Sequence, residues 1–114
     1  MRKVLSASLL LFFALNFFCE SECQMPVLSS KNVVLIIASN GYRDEEFEEP
    51  RRALTSNGAK VTVASSSLEE AKGMLGGKVR PDILIDELKV KDFDGIVFIG
   101  GSGSSEYWNN PTAH

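Results

Sequence analysis

Cysteine and histidine are scarce in this 114-residue sequence, which contains two cysteines and one histidine. Both cysteines, Cys19 and Cys23, precede the first predicted strand, so neither supplies a disulfide inside the folded domain. One histidine and two cysteines of an N-terminal segment do not make a set of metal ligands. We therefore expect no metal and no cofactor.

Positive charge is also in short supply. The formal net charge is -3, from 12 lysines and arginines against 15 aspartates and glutamates, and no basic cluster follows the N-terminus. Because proteins that grip a phosphate backbone need a basic surface, we expect no nucleic-acid partner. A hydrophobic share of 44% and a charged share of 24% are typical of one small globular domain, here with an N-terminal extension.

The N-terminal segment predicts export. Arg2 and Lys3 precede an apolar run at residues 4–18, which is the arrangement of a secretory signal peptide. The run is shorter than the roughly 20 apolar residues that span a bilayer. We predict a signal peptide at residues 1–21, a tether at residues 22–31, and a secreted or periplasmic protein. The alternative is an uncleaved membrane anchor formed by residues 4–18, which would be the protein's one membrane contact.

The predicted cleavage decides the state of the two cysteines. Cleavage after Ser21 removes Cys19 and leaves Cys23 unpaired in the tether, where an oxidising compartment would let it form a disulfide between chains. Lipid attachment at Cys19 is a further alternative, which the bulky residues before it disfavour.

The stretch from Val33 to Gly58 organises the folded part. An unbroken apolar run reaches Asn40-Gly41 and then turns acidic and helix-forming, which predicts a buried parallel strand, a tight turn and a helix. Ligands of open α/β sheets bind at the carboxyl ends of strands, so a candidate site lies at the acidic cluster after this turn: Asp44, Glu45 and Glu46. The alternative is structural, because carboxylates at a helix start also favour the helix dipole.

The predicted helix contains Pro50. Either the regular helix begins near Pro50, or a helix that begins near Asp44 bends there. Asn57-Gly58 predicts its end. The segment from Lys60 to Ala64 predicts the next strand, so strand, helix and strand form a parallel, right-handed βαβ unit.

The remaining segments give weaker patterns. Leu68 to Lys72 predicts one helical turn, and Ile83 to Ile85 either a short strand or a covering loop. Gly95 to Ile99 predicts a buried strand that ends in Gly100-Gly101. Ser104 to His114 predicts the start of another helix.

In this order and at this spacing, several of these segments resemble the ThiJ/PfpI family of the class I glutamine amidotransferase-like superfamily. They are the Val33 to Ser39 strand, Glu46 with Pro50 four residues later, Asn57 to Ala64, and Phe93 to Gly101. The resemblance covers residues 32–114. It implies an α/β, flavodoxin-like three-layer sandwich with a parallel sheet, truncated before the nucleophile elbow.

The resemblance also implies site residues. Glu46 matches the family's acidic residue, which exchanges a hydrogen bond with the sulfur of a reactive cysteine. Gly101, with Gly100 before it, matches the glycine pair whose backbone helps to hold a developing oxyanion. Ile99 stands where a proline is usual. The family's cysteine lies one βα unit beyond the glycine pair, past the last residue of this sequence.

The resemblance therefore predicts a cysteine-dependent hydrolase, a peptidase or a glyoxalase-like enzyme. Its substrate would be a small carbonyl compound or a peptide, and the family suggests a homo-oligomer. The alternative is a non-catalytic remnant or binding module of the same fold, since the nucleophile is missing. We set aside a dinucleotide site, because Glu106 stands where a third glycine or alanine belongs, and a phospho-acceptor receiver domain, because Gly100 takes the place of its aspartate.

Overall fold

The structure is a computed structural model of the protein that describes residues 27–114. The predictions of a signal peptide at residues 1–21 and of an anchor at residues 4–18 lie outside the described residues, as do Cys19 and Cys23. The elements of the described part, in chain order, are β1 (Asn32–Ile36), β2 (Asn40–Tyr42), α1 (Asp44–Ser56), β3 (Lys60–Ser65), β4 (Ala71–Gly73), β5 (Lys78–Val79), β6 (Ile83–Leu84), two short 3₁₀ helices (Ile85–Glu87 and Val90–Asp92), β7 (Gly95–Phe98) and a third 3₁₀ helix (Ser102–Tyr107).

The main sheet has four parallel strands in the order β6-β3-β1-β7. Successive side chains of a strand point to opposite faces, so the apolar run of β1 builds two cores. Val33, Leu35 and Ile37 enter one core, and Val34 and Ile36 enter the other. The sheet is therefore the middle of three layers, which confirms the predicted α/β sandwich.

Helix α1 covers the first face. Phe47 is fully buried there, and Leu54, seven residues later, packs against the same core. Tyr42 meets the Phe47 ring edge-on, with 5.6 Å between the ring centroids. The opposite face is covered by Ile85 and Tyr107 of the 3₁₀ helices.

Helix α1 begins at Asp44 and runs through Pro50, so the alternative of a helix that begins near Pro50 is wrong. Pro50 has no N–H to donate to the carbonyl of Glu46, and that carbonyl lacks its usual partner in the helix. The helix ends as predicted: Ser56 is its last residue, and Gly58 has a φ of 90°.

The segment before β1 is attached to the far end of this helix. Leu28 packs against the first core, and its N–H donates to the Asn57 carbonyl at 2.8 Å. The N–H of Lys60 donates to the Lys31 carbonyl at 2.9 Å. The last residues of the predicted tether are thus part of the folded unit.

A second sheet contains β2, β4 and β5, with β4 parallel to β2 and antiparallel to β5. The predicted helical turn from Leu68 to Lys72 is therefore wrong. Ala71 is fully buried, and the N–H of Lys72 donates to the Ser39 carbonyl at 3.3 Å, so pairing with the chain after β1 keeps this backbone extended. Ile83 and Leu84 form a strand beside β3, which settles that alternative.

Two further predictions are corrected at the end of the chain. β7 was expected to be buried, but Ile96 and Phe98 are 38% and 50% exposed, because among the described residues β7 is an edge strand. The segment from Ser104 to His114 was expected to begin an α-helix, but it forms 3₁₀ and turn structure. Pro111 opposes a helix there, since it disfavours the α conformation of the residue before it.

Candidate functional site

The carboxyl ends of β1 and β7 lie side by side, and the segments that follow them bound the candidate site. After β1 the chain passes through β2 into the start of α1, and after β7 it passes through Gly100 and Gly101. The N–H of Arg43 donates to the Gly100 carbonyl at 2.8 Å, which ties the two segments together. We call the space between the first turn of α1 and the glycine pair the crevice.

Glu46 and Gly100 meet in the crevice. Oε2 of the exposed Glu46 side chain accepts a hydrogen bond of 2.8 Å from the Gly100 N–H. A Cβ atom at position 100 would collide with this carboxylate. The absence of a side chain therefore allows the backbone to approach the carboxylate.

The backbone conformation at position 101 and the close contacts around it require glycine. Its φ is 121°, and a Cβ atom there would lie 2.6 Å from the Arg43 nitrogen and collide with the Gly41 carbonyl oxygen. The Gly101 carbonyl accepts from both the N–H and the hydroxyl of Ser104, at 3.1 and 2.8 Å. Within residues 27–114 the Gly101 N–H has no hydrogen-bond partner, whereas the Gly100 N–H is engaged by Glu46. Of the predicted pair, Gly101 thus has the donor that is free for a ligand.

The other two carboxylates of the acidic cluster have different partners. Asp44 accepts from the N–H groups of Leu75 and Gly77, each at 2.7 Å, and so holds the β4–β5 hairpin. The hydrogen bond from Leu75, supported by that from Gly77, holds the pKa of Asp44 below its usual value. Glu45 pairs with Arg43 at 2.7 Å, and a hydrogen bond from its own backbone N–H, followed by that from Arg43, lowers its pKa. Glu46 alone of the three contacts the glycine pair.

The hairpin adds Met74, which sequence reasoning missed. The Met74 N–H donates to the Tyr42 carbonyl at 2.9 Å, and its Sδ accepts from the N–H of Ser102 at 3.4 Å. The Met74 thioether thus contacts the backbone of Ser102, the residue that follows Gly101 in the chain. Gly76-Gly77 gave a turn signal nearby, but nothing local in the sequence joins that turn to the glycine pair.

A polar group also lies between the ends of β1 and β3. Glu106 accepts from the N–H and hydroxyl of Ser39 at 3.2 and 3.1 Å, and from the Ser66 hydroxyl at 2.9 Å. The adjacent Tyr107 donates its hydroxyl to the Ile37 carbonyl at 2.6 Å, and burial raises its pKa to about 12. Glu106, which argued against a dinucleotide site, here holds two strand ends together.

His114 contacts Trp108, which is not a residue of the crevice. It is exposed, and its Nε2 lies 3.0 Å from the Trp108 carbonyl oxygen. Among residues 27–114, no group of three His, Cys, Asp or Glu side chains is placed to hold a metal ion. No helix in the same part of the chain has the length and apolarity to cross a bilayer.

The parallel sheet, covered by α1 on one face and by 3₁₀ helices on the other, defines a flavodoxin-like α/β protein, with the glycine pair and Glu46 at the carboxyl ends of its strands. Residues 31–114 match the sequence model of the DJ-1/PfpI family, and the chain belongs to that family. This confirms the family predicted from the resemblance.

The chain is similar to uncharacterised proteins of two archaea. It is 42% identical over 84 residues to one from Methanocaldococcus jannaschii, a match that covers 73% of this chain and 41% of the relative. It is 46% identical over 68 residues to one from Archaeoglobus fulgidus, covering 60% of this chain and 40% of the relative.

Two solved structures show the same fold. The ThiJ/PfpI domain protein of Brachyspira murdochii matches with a TM-score of 0.68 at 32% identity, over 71% of this chain and 47% of that one. DJ-1beta of Drosophila melanogaster matches with a TM-score of 0.60 at 32% identity, over 68% of this chain and 41% of that one. The chain thus spans less than half the length of each of these four proteins.

Proposed function

We propose that this protein is part of a cysteine-dependent DJ-1/PfpI enzyme with hydrolase, peptidase or glyoxalase-like activity. The nucleophilic cysteine is supplied from outside residues 27–114. The substrate class is a small carbonyl compound or a peptide. The observation that carries the proposal is the Glu46–Gly100 hydrogen bond of 2.8 Å beside the free N–H of Gly101.

The proposed role of the glycine pair is to stabilise charge. The Glu46 carboxylate and the Arg43 N–H hold the Gly100 backbone from two sides, and Ser104 holds the Gly101 carbonyl. The Gly101 N–H is therefore fixed in direction before any ligand arrives. A substrate carbonyl oxygen that gains negative charge would accept a hydrogen bond from it, and a pre-oriented donor costs no reorganisation.

The proposed role of Glu46 is to contact the sulfur. Its Oε2 is used by Gly100, and Oε1 accepts no hydrogen bond within the described part of the chain. One carboxylate oxygen thus fixes the backbone and the other is free to meet a thiol. Hydrogen bonding at a cysteine controls how much reactive thiolate is present.

The alternative is a non-catalytic module of the same fold. The described residues hold Glu46 and the glycine pair but no cysteine, since Cys19 and Cys23 both lie before them. In that case the crevice would bind a carbonyl or carboxylate group without reacting with it.

We further propose export through residues 1–21 and assembly into a homo-oligomer. The edge strand β7 supports assembly, because unpaired backbone beside the exposed Ile96 and Phe98 favours association with a second copy. Analytical ultracentrifugation of the full chain tests the proposed homo-oligomer, and a monomer at all concentrations would contradict it.

The catalytic proposal is tested on protein isolated from its natural source. Mass spectrometry of its C-terminal peptides establishes whether a cysteine-bearing segment follows His114. The same material is assayed with methylglyoxal and with a peptide library. A thiol-dependent turnover supports the enzyme, and a protein that ends at His114 without turnover supports the binding module.

Matched variants then test Glu46 in the active protein. Glu46→Leu should lower kcat/KM by about a hundredfold and change the pH profile of thiol alkylation by iodoacetamide, and Glu46→Gln should do so less. Glu49→Gln, on the same helix and paired only with Arg52, is the control and should change neither. Coinciding alkylation profiles for all four proteins would remove Glu46 from the mechanism.

A further inference from the structure

A cavity of about 370 Å³ lies between α1, β3 and the segment that leads into β6. Val61 and Val63 of β3 and Val79 of β5 contribute to its lining, most of whose surface is polar. Four charged side chains complete the lining: Arg51, Lys78, Arg80 and Asp82. It shares no residue with the crevice.

The cavity collects positive charge from three separate elements. Arg51 comes from the helix, Lys78 from β5, and Arg80 from the segment before β6. Within residues 27–114, neither Lys78 nor Arg80 forms an ion pair, and Arg51 meets Glu48 only at 3.8 Å. In a protein of net charge -3 this is a local reversal of sign.

The one carboxylate of the lining has another partner. Oδ2 of Asp82 accepts a hydrogen bond of 2.8 Å from the Val63 N–H, which fixes it to the edge of β3. Asp82 offsets one of the three positive charges, so the lining keeps a net charge of about +2. Cations brought together in this way repel one another, and an anion between them relieves the repulsion.

The half-exposed Arg51 side chain lies over an aromatic ring. Its guanidinium carbon lies 5.5 Å from the centroid of Phe47, a fully buried side chain. Stacking of this kind restricts the guanidinium and leaves its edge free to donate. The planar N–H fork of arginine matches two oxygens of a phosphate group.

We propose that this cavity is a binding site for a phosphate-type oxyanion, with Arg51, Lys78 and Arg80 as its donors. The ligand is free phosphate or the phosphate group of a small ester, and both present oxygens that share a charge of about −1.5 to −2 near neutral pH. The proposal stands on charges and contacts outside the crevice and does not depend on the proposed enzyme activity.

The test is an NMR titration of the ¹⁵N-labelled full chain with inorganic phosphate, with sodium chloride adjusted to keep the ionic strength constant. Glycerol 3-phosphate forms a second arm. We expect saturable shifts at the amides of Val63 and Val79 and at neighbouring positions. Tighter binding of the ester identifies a phosphate ester as the ligand, and equal or weaker binding identifies free phosphate.

Paired variants locate the site. Arg51→Gln and Lys78→Gln should each weaken binding by about tenfold, the size expected for losing one charged contact. Arg52→Gln, one residue along the same helix, and Lys72→Gln, opposite Lys78 in the hairpin, lie outside the cavity and should bind normally. The same spectra report folding of each variant, and Lys78 is exposed on a two-residue strand, so its variant decides the matter if Arg51→Gln unfolds.

Three results would overturn the proposal. They are shifts that do not saturate, shifts spread over all basic residues alike, and equal affinity for cavity and control variants.

Discussion

The N–H of Gly100 donates to the Glu46 carboxylate, joining residues 54 positions apart in the chain. The contact links the first turn of α1 to the segment after β7, and both follow neighbouring parallel strands. The geometry of the crevice therefore depends on the main sheet as much as on the residues that line it. Changes at the glycine pair should be felt in stability as well as in binding.

Replacing Gly101 by alanine should destabilise the fold more than replacing Gly76. Both glycines have positive φ, 121° and 94°, which costs an L-residue about 1–2 kcal/mol. A Cβ atom at Gly76 meets nothing within 4 Å, whereas one at Gly101 meets backbone atoms of Gly41 and Arg43. Urea unfolding should therefore give a loss of about 1–2 kcal/mol for Gly76→Ala and a clearly larger one for Gly101→Ala. Equal losses would mean that the segment after β7 moves freely.

Asp44 should make the stability of the fold depend on pH in the acidic range. Hydrogen bonds from Leu75 first, and from Gly77, hold its pKa below the usual 3.8. A group with a lowered pKa in the folded state stabilises the fold above its unfolded value, and this contribution is lost as the pH falls below 3.8 through the folded value. Asp44→Asn should lower the Tm at pH 7 and converge with the unmodified protein in acid.

Hydrogen exchange separates a local from a global effect of this change. In Asp44→Asn at least one of the Leu75 and Gly77 amides should exchange faster at neutral pH, because each donates to its own carboxylate oxygen and asparagine keeps only one acceptor oxygen. Glu49→Gln, at an exposed ion pair with Arg52, is the control and should leave both amides protected. Unchanged protection in Asp44→Asn would show that the β4–β5 pairing alone holds the hairpin.

Tyr107 should govern stability at the alkaline end. Burial raises its pKa from 10.0 to about 12, so its contribution is complete below pH 10.0 and is lost as the pH rises from 10.0 through about 12. Tyr107→Phe also leaves the Ile37 carbonyl without its donor, which should cost about 1–3 kcal/mol near pH 7. Unfolding measured between pH 8 and the alkaline end should show a shallower decline for Tyr107→Phe. Parallel declines would assign the alkaline loss to other groups.

The proposed export predicts a processed N-terminus near Glu22. Removal of residues 1–21 takes away Arg2, Lys3 and Glu20, and changes the formal net charge from -3 to -4. Intact-mass analysis of secreted material measures this directly. A mature protein that retains Met1 or Arg2 would contradict it.

Local pattern and order along the chain were enough to predict the parallel sheet. The apolar runs of β1 and β3 and the Asn57-Gly58 stop are signals carried by adjacent residues, and the structure has each of them. The β4 strand was missed because Lys72 and Gly73 are held extended by pairing with β2, a contact between segments about 30 positions apart in the chain. The exposure of Phe98 could not be read from its apolar neighbours, since burial depends on what covers the strand.

The crevice was predicted unevenly for the same reason. The family resemblance placed Glu46 and the glycine pair together, and the structure brings them into contact. The separate use of Asp44 on the hairpin and the approach of Met74 to Ser102 depend on contacts over 31–33 and 28 positions, which no local spacing encodes.

The docking of Leu28 against Asn57 sets how the domain is presented to its surroundings. Residue 27 precedes β1 at its amino end, and the crevice follows the carboxyl end, so the length of the five-residue strand, roughly 17 Å, separates the two. The described chain therefore starts on the side away from Glu46. A carrier or bead attached directly at Val27 should leave the crevice accessible to large substrates.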